Sequence, residues 1–227
     1  MKILISVKDT LEAKAVRDAG GVDFIDIKNP DEGTLGANHP WIITDITRVF
    51  DEKTEIAASI GDLDFKPGSA SLAAHAVASI GVDYVTASIS SLTPPQAKEM
   101  VTVLLKTLEP FETGLIVAGY ADCKRIGSTD PTELLENSGG ADYFMLDTRV
   151  KDGKNILDYM SLEDLESFKE RAHSLEIGVI VAGSIRYPQI SVIKKVMPDI
   201  LGFRGIVSEK GEVKTELVSK LSEELSN

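Results

Sequence analysis

Gly21-Val22-Asp23-Phe24-Ile25 recurs as Gly81-Val82-Asp83-Tyr84-Val85 and as Gly140-Ala141-Asp142-Tyr143-Phe144, with Met197-Pro198-Asp199-Ile200-Leu201 a weaker fourth copy. The aspartates stand 60, 59 and 57 residues apart. Outward from these copies, short apolar runs alternate with longer amphipathic ones along the whole chain. Strands are expected near 3–6, 23–28, 55–60, 83–88, 114–118, 142–147, 177–182 and 199–204, and helices near 10–19, 40–49, 69–80, 94–109, 131–138, 161–173, 187–196 and 213–226. Asp130-Pro131, Ser161-Leu162-Glu163-Asp164 and Pro94-Pro95 supply the oxygen caps or proline that suit a first helical turn. Each spacing therefore covers two βα units, and the four copies fall on strands two, four, six and eight. This predicts an α/β fold, a single-domain (β/α)₈ TIM barrel over residues 1–227, in which alternate strands share layers of inward side chains and aligned positions of the copies meet inside. A doubly wound open sheet is the alternative, but it does not account for a four-fold, two-unit repeat.

Composition narrows the function classes. The 227 residues carry 36 acidic and 24 basic side chains, a net charge of −12, and no Lys/Arg-rich run. Such a surface repels a nucleic-acid backbone or an anionic leaflet, so neither nucleic acid nor membrane is expected as a partner, and an anionic ligand needs a local cationic pocket. A single Cys123 makes no internal disulfide, no apolar run approaches a membrane span, and both fit a cytoplasmic protein. His39, His75 and His173 are scattered without the spacing of a metal triad, and no strand is followed by a GxGxxG or Walker-type loop. Neither a metal nor a nucleotide cofactor is indicated. Barrels of this size often pair through their helices, which leaves a homo-oligomer open.

The barrel register picks out the chemistry. Three residues beyond each repeat aspartate stand Asp26, Thr86, Met145 and Gly202, and five beyond stand Lys28, Ser88, Asp147 and Arg204. Period-two alternation puts both sets on the inner face, toward the carboxyl ends of the strands where barrel active sites are built, and turns Ile25, Ile27, Val85, Phe144, Leu146 and Phe203 toward the helices. Lys28 beside Asp26 and across from Asp147 is expected to be partly desolvated, which lowers an amine's pKa toward the neutral form that attacks a carbonyl. The alternative is a strand-capping lysine paired with Asp26 or Asp31. Asp147 could relay protons, and Lys151 in the next loop could reach the same mouth as acid, base or phosphate contact, or simply belong to a solvated turn. Ala182-Gly183-Ser184 and Gly202-Phe203-Arg204-Gly205 follow strands seven and eight, the recurrent phosphate site of this fold, where glycines admit backbone N–H groups to an anion and arginine adds a forked donor. Singly these are tight turns; together they favour a small phosphorylated substrate. Gly119-Tyr120-Ala121-Asp122 offers a hydroxyl and a carboxylate to such a substrate, or a packed rim aromatic.

Asp26-Ile27-Lys28-Asn29-Pro30-Asp31-Glu32-Gly33-Thr34-Leu35-Gly36-Ala37-Asn38, Lys66-Pro67-Gly68, Ala118-Gly119-Tyr120-Ala121-Asp122, Asp147-Thr148-Arg149-Val150-Lys151-Asp152-Gly153, Ala182-Gly183-Ser184 and Arg204-Gly205 resemble the archaeal (5-formylfuran-3-yl)methyl phosphate synthase family of methanofuran biosynthesis, over essentially the whole chain. The resemblance implies a barrel lyase that joins two triose phosphates, nominally glyceraldehyde 3-phosphate, into a furan aldehyde phosphate without a cofactor. It implies Lys28 as the Schiff-base residue, with Asp26, Asp147 and Lys151 assisting proton transfer. One position departs: Thr86 stands where the family carries an additional catalytic lysine, and threonine supplies neither a cationic acid nor a low-pKa base, so that proton transfer would slow, pass to Lys151 or be absent. The expected catalytic positions are thus Lys28, Asp26, Asp147, Lys151 and Thr86, and the substrate or phosphate contacts Gly183, Ser184, Arg204, Gly205, Tyr120 and Asp122. Asp26-Ile27-Lys28-Asn29-Pro30-Asp31 also fits the Asp-x-Lys-x-x-Asp pattern of the orotidine phosphate decarboxylase group, in which a charged lysine donates a proton. A non-catalytic sugar-phosphate-binding barrel is the third reading.

Overall fold

A computed structural model describes residues 1–51 and 53–226. The eight strands are β1 (Lys2–Val7), β2 (Phe24–Ile27), β3 (Glu55–Asp62), β4 (Tyr84–Ser88), β5 (Gly114–Tyr120), β6 (Tyr143–Asp147), β7 (Gly178–Val181) and β8 (Ile200–Phe203). All neighbours pair in parallel, and β8 returns to β1 through Lys2↔Ile200 to Ile5↔Phe203, which closes the barrel and removes the open-sheet alternative. The helices are α1 (Thr10–Ala19), α2 (Pro40–Thr47), α3 (Pro67–Ala78), α4 (Pro94–Leu108), α5 (Cys123–Ile126), α6 (Pro131–Leu135), α7 (Leu162–Ser174), α8 (Tyr187–Ile193) and α9 (Thr215–Ser226). None is long and apolar enough to cross a membrane.

Two stretches depart from the sequence pattern. The β5–β6 connection holds the extra turn α5 before α6, and the run after β8 forms a hairpin of β9 (Ser208–Glu209) and β10 (Glu212–Val213) before α9 begins. Lys210 and Gly211 take positive φ of 52° and 82° at its tip. Two-residue strands and a four-residue helix are too short to show a period, so hydrophobic patterning does not reveal them.

The repeat has a direct structural meaning. The carboxylate of each repeat aspartate accepts the amide of the second residue of the preceding odd strand: Ile3 N to Asp23 at 2.8 Å, Ile56 N to Asp83 at 2.7 Å, Leu115 N to Asp142 at 2.8 Å and Val179 N to Asp199 at 2.7 Å. Its carbonyl accepts the first amide of the following odd strand, from Glu55, Gly114, Gly178 and, across the closure, Lys2. Each aspartate thus ties the two odd strands that flank it, and the four make a closed ring at the amino-terminal end, giving partners to amides that the ladder leaves unpaired. One residue on, Phe24, Tyr84 and Tyr143 point inward and meet at centroid distances of 5.5 to 5.9 Å, with Ile200 as the fourth member of the layer. Ile25, Ile27, Val85, Phe144, Leu146 and Phe203 lie in the shell between barrel and helices, as alternation requires.

Candidate active site

Two layers above the aromatics the copies cease to resemble one another. A cavity of about 1040 Å³ opens at the carboxyl ends of β1, β2, β6, β7 and β8, floored by Leu4, Met145 and Gly202. Lys28 is only 7% exposed there. Its Nζ lies 3.1 Å from Asp26 Oδ2 and 4.0 Å from Asp147 Oδ2. Ser6, inward on β1 by the same alternation, donates to the same Asp26 oxygen at 2.9 Å, while Asp26 Oδ1 is buried without a hydrogen-bond partner. Asp147 Oδ1 accepts the Thr148 amide at 2.7 Å and Lys151 Nζ at 3.0 Å. Lys28, Asp26, Asp147 and Lys151 therefore form one connected chain of alternating charge, as their register predicted.

The protonation of Lys28 runs against the sequence expectation. Burial does work to lower its pKa, but the carboxylates of Asp26 and Asp147 outweigh burial, even with the Arg204 charge opposing them, and hold the pKa above the ordinary value of 10.5. Asp147 mirrors it: burial would raise its pKa, but Lys151, Lys28 and the Thr148 amide hold it below the ordinary 3.8. The resting site is a neutralised ion cluster in which Lys28 is held in its charged form. Asp26 Oδ2 and Asp147 Oδ2 are the carboxylate oxygens nearest to it.

Three other expected contacts have different partners. Arg204 lines the cavity, but both terminal nitrogens of its guanidinium are taken: one donates to the Ser6 carbonyl at 3.0 Å and to Glu12 at 2.8 Å, the other to Glu12 at 3.1 Å and to the Gly211 carbonyl at 3.3 Å. Glu12, 3% exposed, also accepts the Lys8 amide, so this pair ties α1 and the hairpin to the barrel rim. Asp122 does not line the cavity; its two oxygens accept the amides of Arg149 at 2.8 Å and Val150 at 2.9 Å and fix the β6 loop. Tyr120 is fully buried inside the barrel and donates to Asp62 at 2.6 Å, its burial and the Asp62 charge pushing its pKa up. Thr86 is likewise fully buried, with no partner for its hydroxyl and no face on the cavity.

What seals that half of the barrel is the loop from Asn29 to Asn38. It closes on itself through Asn29 N to the Gly36 carbonyl at 2.8 Å, and a β-carbon at Gly36 would collide with the Asn29 carbonyl. Leu35 is thereby driven into the barrel interior among Phe24, Ala57, Ile116 and Tyr120, with its carbonyl bonded by Ser59 Oγ. Thr34 Oγ1 reaches across to the Arg149 carbonyl at 3.1 Å. The glycine at 36 is the trace such a plug leaves in sequence, but nothing in the pattern says where Leu35 points.

The expected anion loops do meet at the open half. Gly183 and Ser184 take φ of 95° and 54° just after β7, and Gly183 packs tightly on Thr148 and Ile156, so its positive φ and close packing both favour glycine. Gly183, Ser184 and Gly205 all line the cavity, and their amides donate to no acceptor among the described residues. Such free amides are suited to an anion.

The 4-HFC-P synthase family model matches residues 3–225. The chain belongs to this family. The (5-formylfuran-3-yl)methyl phosphate synthase of Archaeoglobus fulgidus is 40% identical, covering 98% of each chain, and that of Methanosarcina barkeri is 38% identical, covering 97% of each. Two solved structures share the barrel: phosphoribosyl anthranilate isomerase from Thermus thermophilus, with a TM-score of 0.69 at 14% identity over 100% of this chain and 98% of that one, and a 3-hexulose-6-phosphate synthase, with 0.69 at 17% over 99% of each. At those identities the likeness concerns the fold. The stretch Asp26 to Asn38, which carries part of the resemblance to the 4-HFC-P synthase family, is the strand end and plug loop just described, and it both carries Lys28 and divides the barrel mouth.

Proposed function

We propose that this chain is a (5-formylfuran-3-yl)methyl phosphate synthase of methanofuran biosynthesis, a lyase that condenses two triose phosphates through an imine on Lys28 and draws on no cofactor. The observation that carries this reading is Lys28 itself, a buried amine at the inner end of β2 flanked by Asp26 and Asp147 in a cavity with room for two small phosphate esters. Lys28 passes its proton to Asp26 and attacks the carbonyl of a ketone-form triose phosphate; loss of water gives the iminium, an electron sink for the adjacent C–H bond. Asp147 takes that proton, the enamine attacks the aldehyde of the second triose phosphate, hydrolysis of the imine takes back a water and frees Lys28, and cyclisation with net loss of one phosphate and two waters balances the atoms of the furan aldehyde phosphate. Lys151, hydrogen-bonded to Asp147 at the rim, protonates departing oxygens, the task Thr86 cannot perform. The amides of Gly183, Ser184 and Gly205 hold a phosphate.

The raised pKa of Lys28 favours a second reading, a decarboxylase-like site in which the charged lysine donates a proton and never forms an imine. Borohydride separates the two. Incubation with glyceraldehyde 3-phosphate and borohydride adds the mass of a reduced triose phosphate at Lys28 under the first reading, and furan absorbance accumulates without borohydride. Absence of both eliminates it.

A further inference from the structure

Five cationic side chains line the cavity: Lys28, Arg149, Lys151, Arg186 and Arg204. Lys28 and Lys151 are balanced by Asp26 and Asp147, and Arg204 by Glu12. Arg149 and Arg186 pair with no carboxylate among the described residues. In a chain of net charge −12 with 36 acidic residues, two uncompensated guanidiniums over one cavity are a local reversal of the surface field.

Both side chains are exposed, yet each is tied to its surroundings. The Arg149 backbone is held on both sides, its amide by Asp122 and its carbonyl by Thr34 of the plug loop, and its guanidinium lies 5.9 Å from the centre of the Tyr120 ring. Arg186, on the β7 side, donates 3.1 Å to the Gly153 carbonyl in the same β6 loop that carries Arg149. One fork is carried by the β6 loop, the other is hydrogen-bonded to it, and both line the same cavity. Forked donors suit the oxygens of a phosphate, and a charge-assisted contact is the strong kind of hydrogen bond.

We propose that Arg149 and Arg186 form a second anion subsite, which takes the phosphate of the second phosphorylated substrate while the Gly183–Ser184 and Gly205 amides take that of the first; Asp122 and Thr34 are positioning residues for Arg149. The assignment of two phosphorylated substrates rests on the condensation proposed above, whereas the subsite itself does not. Inorganic phosphate titrated by ³¹P NMR binds two equivalents per chain in the wild type and one in the Arg149→Gln/Arg186→Gln double variant. Two equivalents retained by the variant, or only one bound by the wild type, overturns the subsite. With glyceraldehyde 3-phosphate, the half-saturation for borohydride trapping at Lys28 stays within twofold of wild type in the double variant, while that for furan formation rises tenfold or more, with Arg149→Lys, which keeps charge but loses the fork, in between. Equal rises in both overturn the assignment to the second substrate. Loss of one phosphate equivalent in a protein that neither traps a triose nor makes the furan keeps the subsite and rejects the condensation.

Discussion

The two ends of this barrel are built on the same four-fold repeat and use it in opposite ways. At the amino-terminal end Asp23, Asp83, Asp142 and Asp199 do the same thing four times, each accepting one odd-strand amide on its carboxylate and another on its carbonyl. Five residues further along each copy, at the other end, stand Lys28, Ser88, Asp147 and Arg204, and no two share a task. Lys28 and Asp147 face each other across the cavity, Ser88 pairs with Ser90, and Arg204 is bound to Glu12. The difference teaches where symmetry is kept. Every odd strand begins with amides that need an acceptor, so the same residue serves each time; nothing at the strand exits imposes an equivalent demand, and there each position is free to take up chemistry.

The comparison can be broken most severely at Lys28. Lys28→Ala should abolish the borohydride adduct and lower turnover by about 10⁴-fold or more, the scale of losing a covalent nucleophile. Asp147→Asn should cost about 10²–10⁴-fold as a proton-transfer group, and it also tests the charge state of Lys28. The neutral amine grows as pH rises, and Asp147 holds the Lys28 pKa up; removing that carboxylate lowers it, so the pH dependence of trapping should move to lower pH. An unmoved profile in Asp147→Asn would mean that Asp147 does not set the charge of Lys28. Glu12→Ala sharpens the contrast within the mouth: stranding a largely buried Arg204 should destabilise by about 3 kcal/mol in urea denaturation, against little or no loss if Arg204 were merely a rim cation. The smallest effect belongs to the amino-terminal ring. Asp83→Ala orphans the Ile56 amide and should cost about 1 kcal/mol, read as a melting temperature lower by about 2–4 °C, with the trapping profile unchanged. A shift of that profile would show that the two ends are coupled.

Much of the site was legible because it lies on strands. The inward placement of Lys28, Asp26 and Asp147 follows from the repeat spacing and the two-residue alternation, and the place of Gly183 and Gly205 on the cavity follows from where β7 and β8 end. The residues whose partners were missed lie on loops or act through long-range pairs. Asp122 and Arg204 have the right chemistry for a phosphate contact, but their partners, the Arg149 and Val150 amides and Glu12, are distant in sequence, and Arg204–Glu12 spans nearly the whole chain. The direction of the Lys28 pKa was misread because burial alone lowers it; the outcome needed the distances to both carboxylates.

By itself, then, the sequence determined the closed eight-stranded barrel, the inward or outward sense of every repeat position and the location of its working end, because strand periodicity and a two-unit repeat are local properties that survive without coordinates. Only the tertiary structure decided which charges neutralise one another, that Leu35 plugs one half of the mouth beside Tyr120, and that Arg149 and Arg186 are without a carboxylate partner among the described residues in the other. Pairing, burial and exclusion depend on distances between segments far apart in the chain, and those exist only once the barrel has closed.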